Sequence, residues 1–179
     1  MTDREQLIQQ IEAAFADVER GNGLTLHEAA AFEGTDYCTA EERAQVRALD
    51  PELRWQDIPD AALDECEDRW SFDEEGFRFH LPAYLRWHLR HSHRLPPGSG
   101  LMTFICLRLW GNTDKQRRCV EASFDRFTPA QKRVIARFLE CTALQGPDAG
   151  SPGPDPGLDV TFASLAAAAW ESYWHRFQP

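Results

Sequence analysis

Gly76-Phe77-Arg78-Phe79-His80-Leu81-Pro82-Ala83-Tyr84-Leu85-Arg86-Trp87 places five aromatic or imidazole rings, two arginines and one proline in twelve positions. Pro82 suits the first position of a helix, where a missing N–H costs nothing. From there Leu81, Tyr84, Leu85, His88 and Leu89 fall on one helical face directed at a core. Phe77-Arg78-Phe79 alternates like a brief strand leading into that helix. Upstream, Asp57 to Glu75 holds nine carboxylates against one arginine. An aromatic, basic segment after a dense acidic one points to a surface organised for a partner.

Helix signals recur on either side. Thr2 and Glu5 form a capping box, followed by the stripe Leu7, Ile11, Ala14, Phe15 and Val18, which Gly21-Asn22-Gly23 is expected to end. Thr25-x-x-Glu28 starts a short second helix, and Thr39-x-x-Glu42 a third that stops at Asp50-Pro51. Asp60 caps another through Glu67. Thr128-Pro129-Ala130-Gln131 begins a helix with Val134, Ile135, Phe138, Cys141 and Thr142 on one side. Leu101 to Trp110 reads equally as a buried helix or a strand.

The fold class is therefore mainly α: a single compact multi-helix domain over residues 1–145, with at most a small strand pair. Residues 146–157, rich in proline and glycine, read as a flexible linker. The segment 158–179 carries Phe162, Ala166, Ala169, Trp170, Tyr173 and Phe177 on one face, a C-terminal helix expected to dock back on the body.

The net charge of −10 disfavours nucleic acid and anionic membranes as partners and favours fast encounter with a basic protein. Five cysteines without a Cys-x-x-Cys spacing indicate reduced thiols rather than a metal or redox pair. No stretch is apolar for long enough to span a bilayer, and the N-terminus reads as an amphipathic helix rather than a signal peptide. A soluble, cytoplasmic protein is expected.

No catalytic signature is present, so the reading leans away from an enzyme and implies no cofactor. Among the four histidines between His80 and His93, His88 and His91 are the weak metal candidates; a structural or surface role is favoured. Arg86, Arg90 and Arg94 make a ridge on the polar helix face, expected to pair with the Asp64–Glu75 acids. Trp55-x-Asp57-Ile58-Pro59 reads as a turn in which the tryptophan packs and the aspartate takes backbone N–H bonds. The candidate binding residues are Trp55, Asp57, Phe77, Arg78, Tyr84, Arg86, Trp87 and Arg90.

Trp55-Gln56-Asp57-Ile58-Pro59 and Gly76-Phe77-Arg78-Phe79 through Leu81-Pro82-Ala83-Tyr84-Leu85-Arg86-Trp87, together with Gly23-Leu24-Thr25-Leu26-His27-Glu28-Ala29 and Phe127-Thr128-Pro129-Ala130-Gln131, resemble an uncharacterised bacterial domain-of-unknown-function family. The resemblance covers most of the chain, weakens over Pro96 to Val120 and fails in the linker. It implies a shared fold and carries no activity. Two function classes follow: an acidic protein-binding module of the immunity or inhibitor kind, or an enzyme or metal-binding protein with a pocket near Phe77–His93.

Overall fold

A helix usually keeps one face in water, yet every residue from Phe79 to Leu89 is buried. The computed structural model describes residues 2–31, 39–65, 72–91, 100–110, 121, 123–144 and 162–178. These include α1 (Asp3–Ala14), α2 (Leu26–Ala31), α3 (Ala40–Arg47), α4 (Asp60–Glu65), α5 (Glu74–His91), α6 (Gly100–Trp110), α7 (Pro129–Leu144) and α8 (Phe162–Ser172), with 3-10 turns at Trp55–Asp57 and Trp174–Phe177. Among the described residues the sole β feature is one antiparallel bridge between Glu19 and Arg54. The expected linker, His93, Arg94, and Cys38, Cys66 and Cys119 lie outside the described residues.

The mainly helical reading holds, and Leu101–Trp110 resolves as helix, with Ile105, Cys106 and Leu109 fully buried. Two expectations around α5 are corrected. Phe77-Arg78-Phe79 is not a strand, and Pro82 stands inside the helix rather than at its start. The start is set upstream by Asp73, whose Oδ1 accepts the Gly76 N–H at 2.8 Å and the Leu24 N–H at 3.0 Å. Pro82 cannot donate to the Arg78 carbonyl one turn back, a loss that burial on all sides outweighs.

The end of α1 is corrected as well. Its apolar stripe continues to Val18, but the helix stops at Ala14, well short of Gly21. The reason is competition for carbonyls. Gln131 Nε2 donates to Ala14 O, Trp55 Nε1 to Phe15 O at 2.8 Å, and Gln56 Nε2 to Ala16 O. Side chains from distant segments thus satisfy carbonyls that another helical turn would otherwise have used.

Packing around α5 closes the core. α1 supplies Leu7 and Ile11, with Phe15 just after it, and α7 supplies Val134, Ile135 and Phe138, the last against His88 of α5. The C-terminal segment does dock back: α8 lies against α6 and α7, and Trp174 is fully buried with its Nε1 donating to Leu109 O at 2.9 Å. Where Leu24 meets the start of α5, two glycines face each other. A Cβ on Gly23 would lie 2.4 Å from Gly76 N, and one on Gly76 would lie 2.6 Å from Leu24 O.

α3 is held differently, for none of its side chains is buried. Its anchors are Arg43 and Arg47, which reach the fully buried Glu28 at 2.9 and 2.7 Å.

Two measurements check this construction. Gly23→Ala or Gly76→Ala should each lower stability in urea by about 1–3 kcal/mol, because the added methyl meets backbone rather than a yielding side chain. Glu28→Gln should cost about 2–3 kcal/mol, discounted because both arginines are partly exposed. It should also speed amide hydrogen exchange in Ala40–Arg47 before the rest of the protein.

Candidate functional site

The candidate binding residues separate by burial. Trp55, Phe77, Tyr84, Arg86 and Trp87 are core side chains. Arg78 is half-buried, while Asp57 and Arg90 are exposed. Trp55 forms the expected turn, but the Asp57 carboxylate holds no backbone N–H among the described residues. Arg108 lies over the Phe77 ring at 4.3 Å and donates to Phe72 O at 2.8 Å.

Arg86 departs from the expected polar ridge. It is buried, sits 5.0 Å from the Trp55 ring and donates to Gln56 O at 3.1 Å. The carboxylate near both Arg86 and Arg90 is Glu12 of α1, at 3.8 and 3.9 Å, rather than one from the Asp64–Glu75 run. The ring of Trp55 and the Gln56 carbonyl draw the guanidinium inward, where a cation needs such partners.

His88 and His91 face different ways. His88 meets Phe138 edge-on in the core, and burial lowers its pKa to about 4. His91 donates from Nε2 to Asp60 at 2.8 Å. Among the described residues no three His, Cys, Asp or Glu side chains are arranged to hold a metal ion. Residues 77–89, where the alternative reading set a pocket, are core apart from Arg78.

A polar cluster with little sign in the local sequence pattern lies beside the Gly21–Gly23 turn. Asp50 is buried and accepts the His27 N–H at 2.9 Å and the His27 Nδ1–H at 2.8 Å. Burial opposes its charge, but the bonds from Thr25 and His27 hold its carboxyl below the usual range. Glu28 behaves alike: burial pushes its pKa up, and Thr25 N–H, Arg43 and Arg47 bring it below normal. Arg20 donates to Asp50 O at 2.8 Å, and Arg47 donates to Gly21 O and Gly23 O. His80, next to this cluster, donates from Nδ1 to Gly76 O at 2.7 Å and stacks on Phe72. The bonds run between groups of the cluster itself, so the arrangement acts as a brace. Thr25-x-x-Glu28 and Asp50-Pro51 did signal these residues, but only as a helix start and a helix stop.

Of the nine carboxylates in the acidic run, Glu67 and Asp68 lie outside the described residues. Asp73 is a cap; Glu74 and Glu75 face Arg126 at 3.1 and 3.7 Å, and Asp60 takes His91. Asp57, Asp64 and Glu65 have no ion pair among the described residues and are exposed. The bridge between Glu19 and Arg54 joins the segment carrying the exposed Asp17 and Glu19 to the one carrying Glu52 and Asp57, an acidic rim with Arg54 inside it. Leu53, 75% exposed, stands within it.

A family model matches residues 3–176 of this chain. The chain belongs to DUF6714, a family of unknown function. No curated protein and no solved structure matches it. The DUF6714 match runs from the first residue of α1 into the final 3-10 turn, so it takes in the brace, the acidic rim and Trp174 alike. No helix among the described residues of this DUF6714 chain is long and apolar enough to cross a membrane.

Its buried imidazoles give a pH signature. Both His80 and His88 have pKa values lowered by burial from 6.5 to about 4. The unfolded chain therefore binds protons that the folded protein refuses between those values. Their contribution to stability is complete above about pH 6.5 and is lost as pH falls toward 4, at about 1.4 kcal/mol per unit for each ring. Urea midpoints at pH 7, 6 and 5 check this, and His88→Leu should remove about half of the slope.

Proposed function

We propose that this protein is a non-enzymatic binding module whose acidic rim docks a basic protein, in the manner of an immunity or inhibitor protein. The support for this reading is the direction of the arginines. Arg20, Arg47, Arg86 and Arg108 donate to backbone carbonyls, and Arg43 and Arg47 take up Glu28. Five arginines, Arg20, Arg43, Arg47, Arg86 and Arg108, are thereby committed to internal bonds, while Asp57, Asp64 and Glu65 face water without an ion pair among the described residues.

On the rim, Asp17, Glu19, Glu52, Asp57, Asp64 and Glu65 stand with Arg54 as the neighbouring guanidinium. Such a predominantly acidic surface raises the association rate of a basic partner and repels acidic competitors. Leu53 at 75% exposure, with Leu49 at 60% on the same connection, offers apolar contact that charge alone does not supply.

Affinity purification from the source cells tests the reading, with wild type compared against Asp57→Lys/Asp64→Lys. Both positions are exposed, so the double variant should keep the wild-type melting temperature. Wild type should retain a basic protein that elutes as salt rises, and the variant should retain at least about tenfold less of it. Equal retention by both, or nothing above background on wild type, would overturn the proposal.

A further inference from the structure

α1 and α7 are tied at two points, Gln131 Nε2 to Ala14 O at 3.2 Å and Arg137 to Gln10 Oε1 at 3.3 Å. As the α7 position advances by six residues, the α1 position retreats by four, so the helices run antiparallel. Along this seam lies an open groove of about 810 Å³. That volume falls in the range of small-molecule sites. Its apolar wall is made of short side chains, Ala14, Ala130 and Val134, and Arg133 and Arg137 stand one helical turn apart beside it.

The charge of this groove runs against that of the molecule. Arg133 is exposed and has no ion pair among the described residues. Arg137 bonds the neutral amide of Gln10 and has no carboxylate within ion-pair distance among the described residues. Glu140 is the lining carboxylate, and Asp3 acts on the lining Cys141 from outside the groove; two guanidiniums line the groove in a chain whose net charge is −10. Two planar guanidiniums one turn apart, neither with a carboxylate within ion-pair distance among the described residues, suit a carboxylate ligand.

We infer that the groove binds a small amphiphilic monocarboxylate, its head on Arg133 and Arg137 and its apolar body along Ala14, Ala130 and Val134. This site is separate from the acidic rim and does not depend on the protein-binding reading.

Titration of the full chain with decanoate below its micellar concentration, followed by amide NMR, tests the inference. Decanol serves as the uncharged control. Decanoate should give saturable shifts at Ala14, Ala130 and Val134, and decanol should bind at least about tenfold more weakly. Arg133→Gln, at an exposed position, should weaken decanoate by about tenfold, and Ala130→Trp should abolish binding by filling the groove. Decanol binding as tightly as decanoate, an unchanged affinity in Arg133→Gln, or no saturable shift at these residues would overturn it.

Discussion

Burial of α5 on every side leaves its polar atoms to be satisfied from within the protein. His80 resolves this by staying neutral and donating to the carbonyl one turn back. Arg86 keeps its charge and takes a loop carbonyl and a tryptophan ring. The neighbours must also come close: Gly23 lies against Gly76 because nothing larger fits between those backbones. The connections around α5 are therefore held by polar bonds as much as by apolar contact.

Arginine is the recurring tool for that task. A guanidinium presents several N–H groups in a plane, so one side chain can hold two carbonyls of a turn, as Arg47 does for Gly21 and Gly23 while also meeting Glu28. Loops rarely satisfy all their own carbonyls, and burying them unpaired is costly. Arginines drawn inward meet that need. Where the guanidinium is itself buried, as for Arg20 and Arg86, the same placement takes its charge off the surface.

Legibility in the sequence followed the distance over which each feature is decided. The capping boxes at Thr2, Thr39 and Thr128 form as read, because cap and partner stand three residues apart. The amphipathic faces of α1 and α7 were equally plain. The start of α5 is not legible locally, because a helix buried all round shows no polar stripe and its phenylalanines mimic alternation. The end of α1 was hidden because its carbonyls are taken by Trp55, Gln56 and Gln131, 40 residues away or more than a hundred. Glu28 and Asp50 each looked like local punctuation, since their arginine and histidine partners come together only in the folded chain. The groove is the extreme case, formed by segments at opposite ends of the sequence.

Trp174 has a consequence for how the molecule is made. Its indole fills the space against Phe124 and bonds the last turn of α6, so the centre stays unfinished until that residue arrives. On a ribosome, the first helices emerge well before the tryptophan that completes their packing. During that interval the nascent chain exposes α6 and α7 surface that α8 will later cover. The α6 and α7 surface that Trp174 and α8 cover can be buried only once the C-terminal segment has left the ribosome.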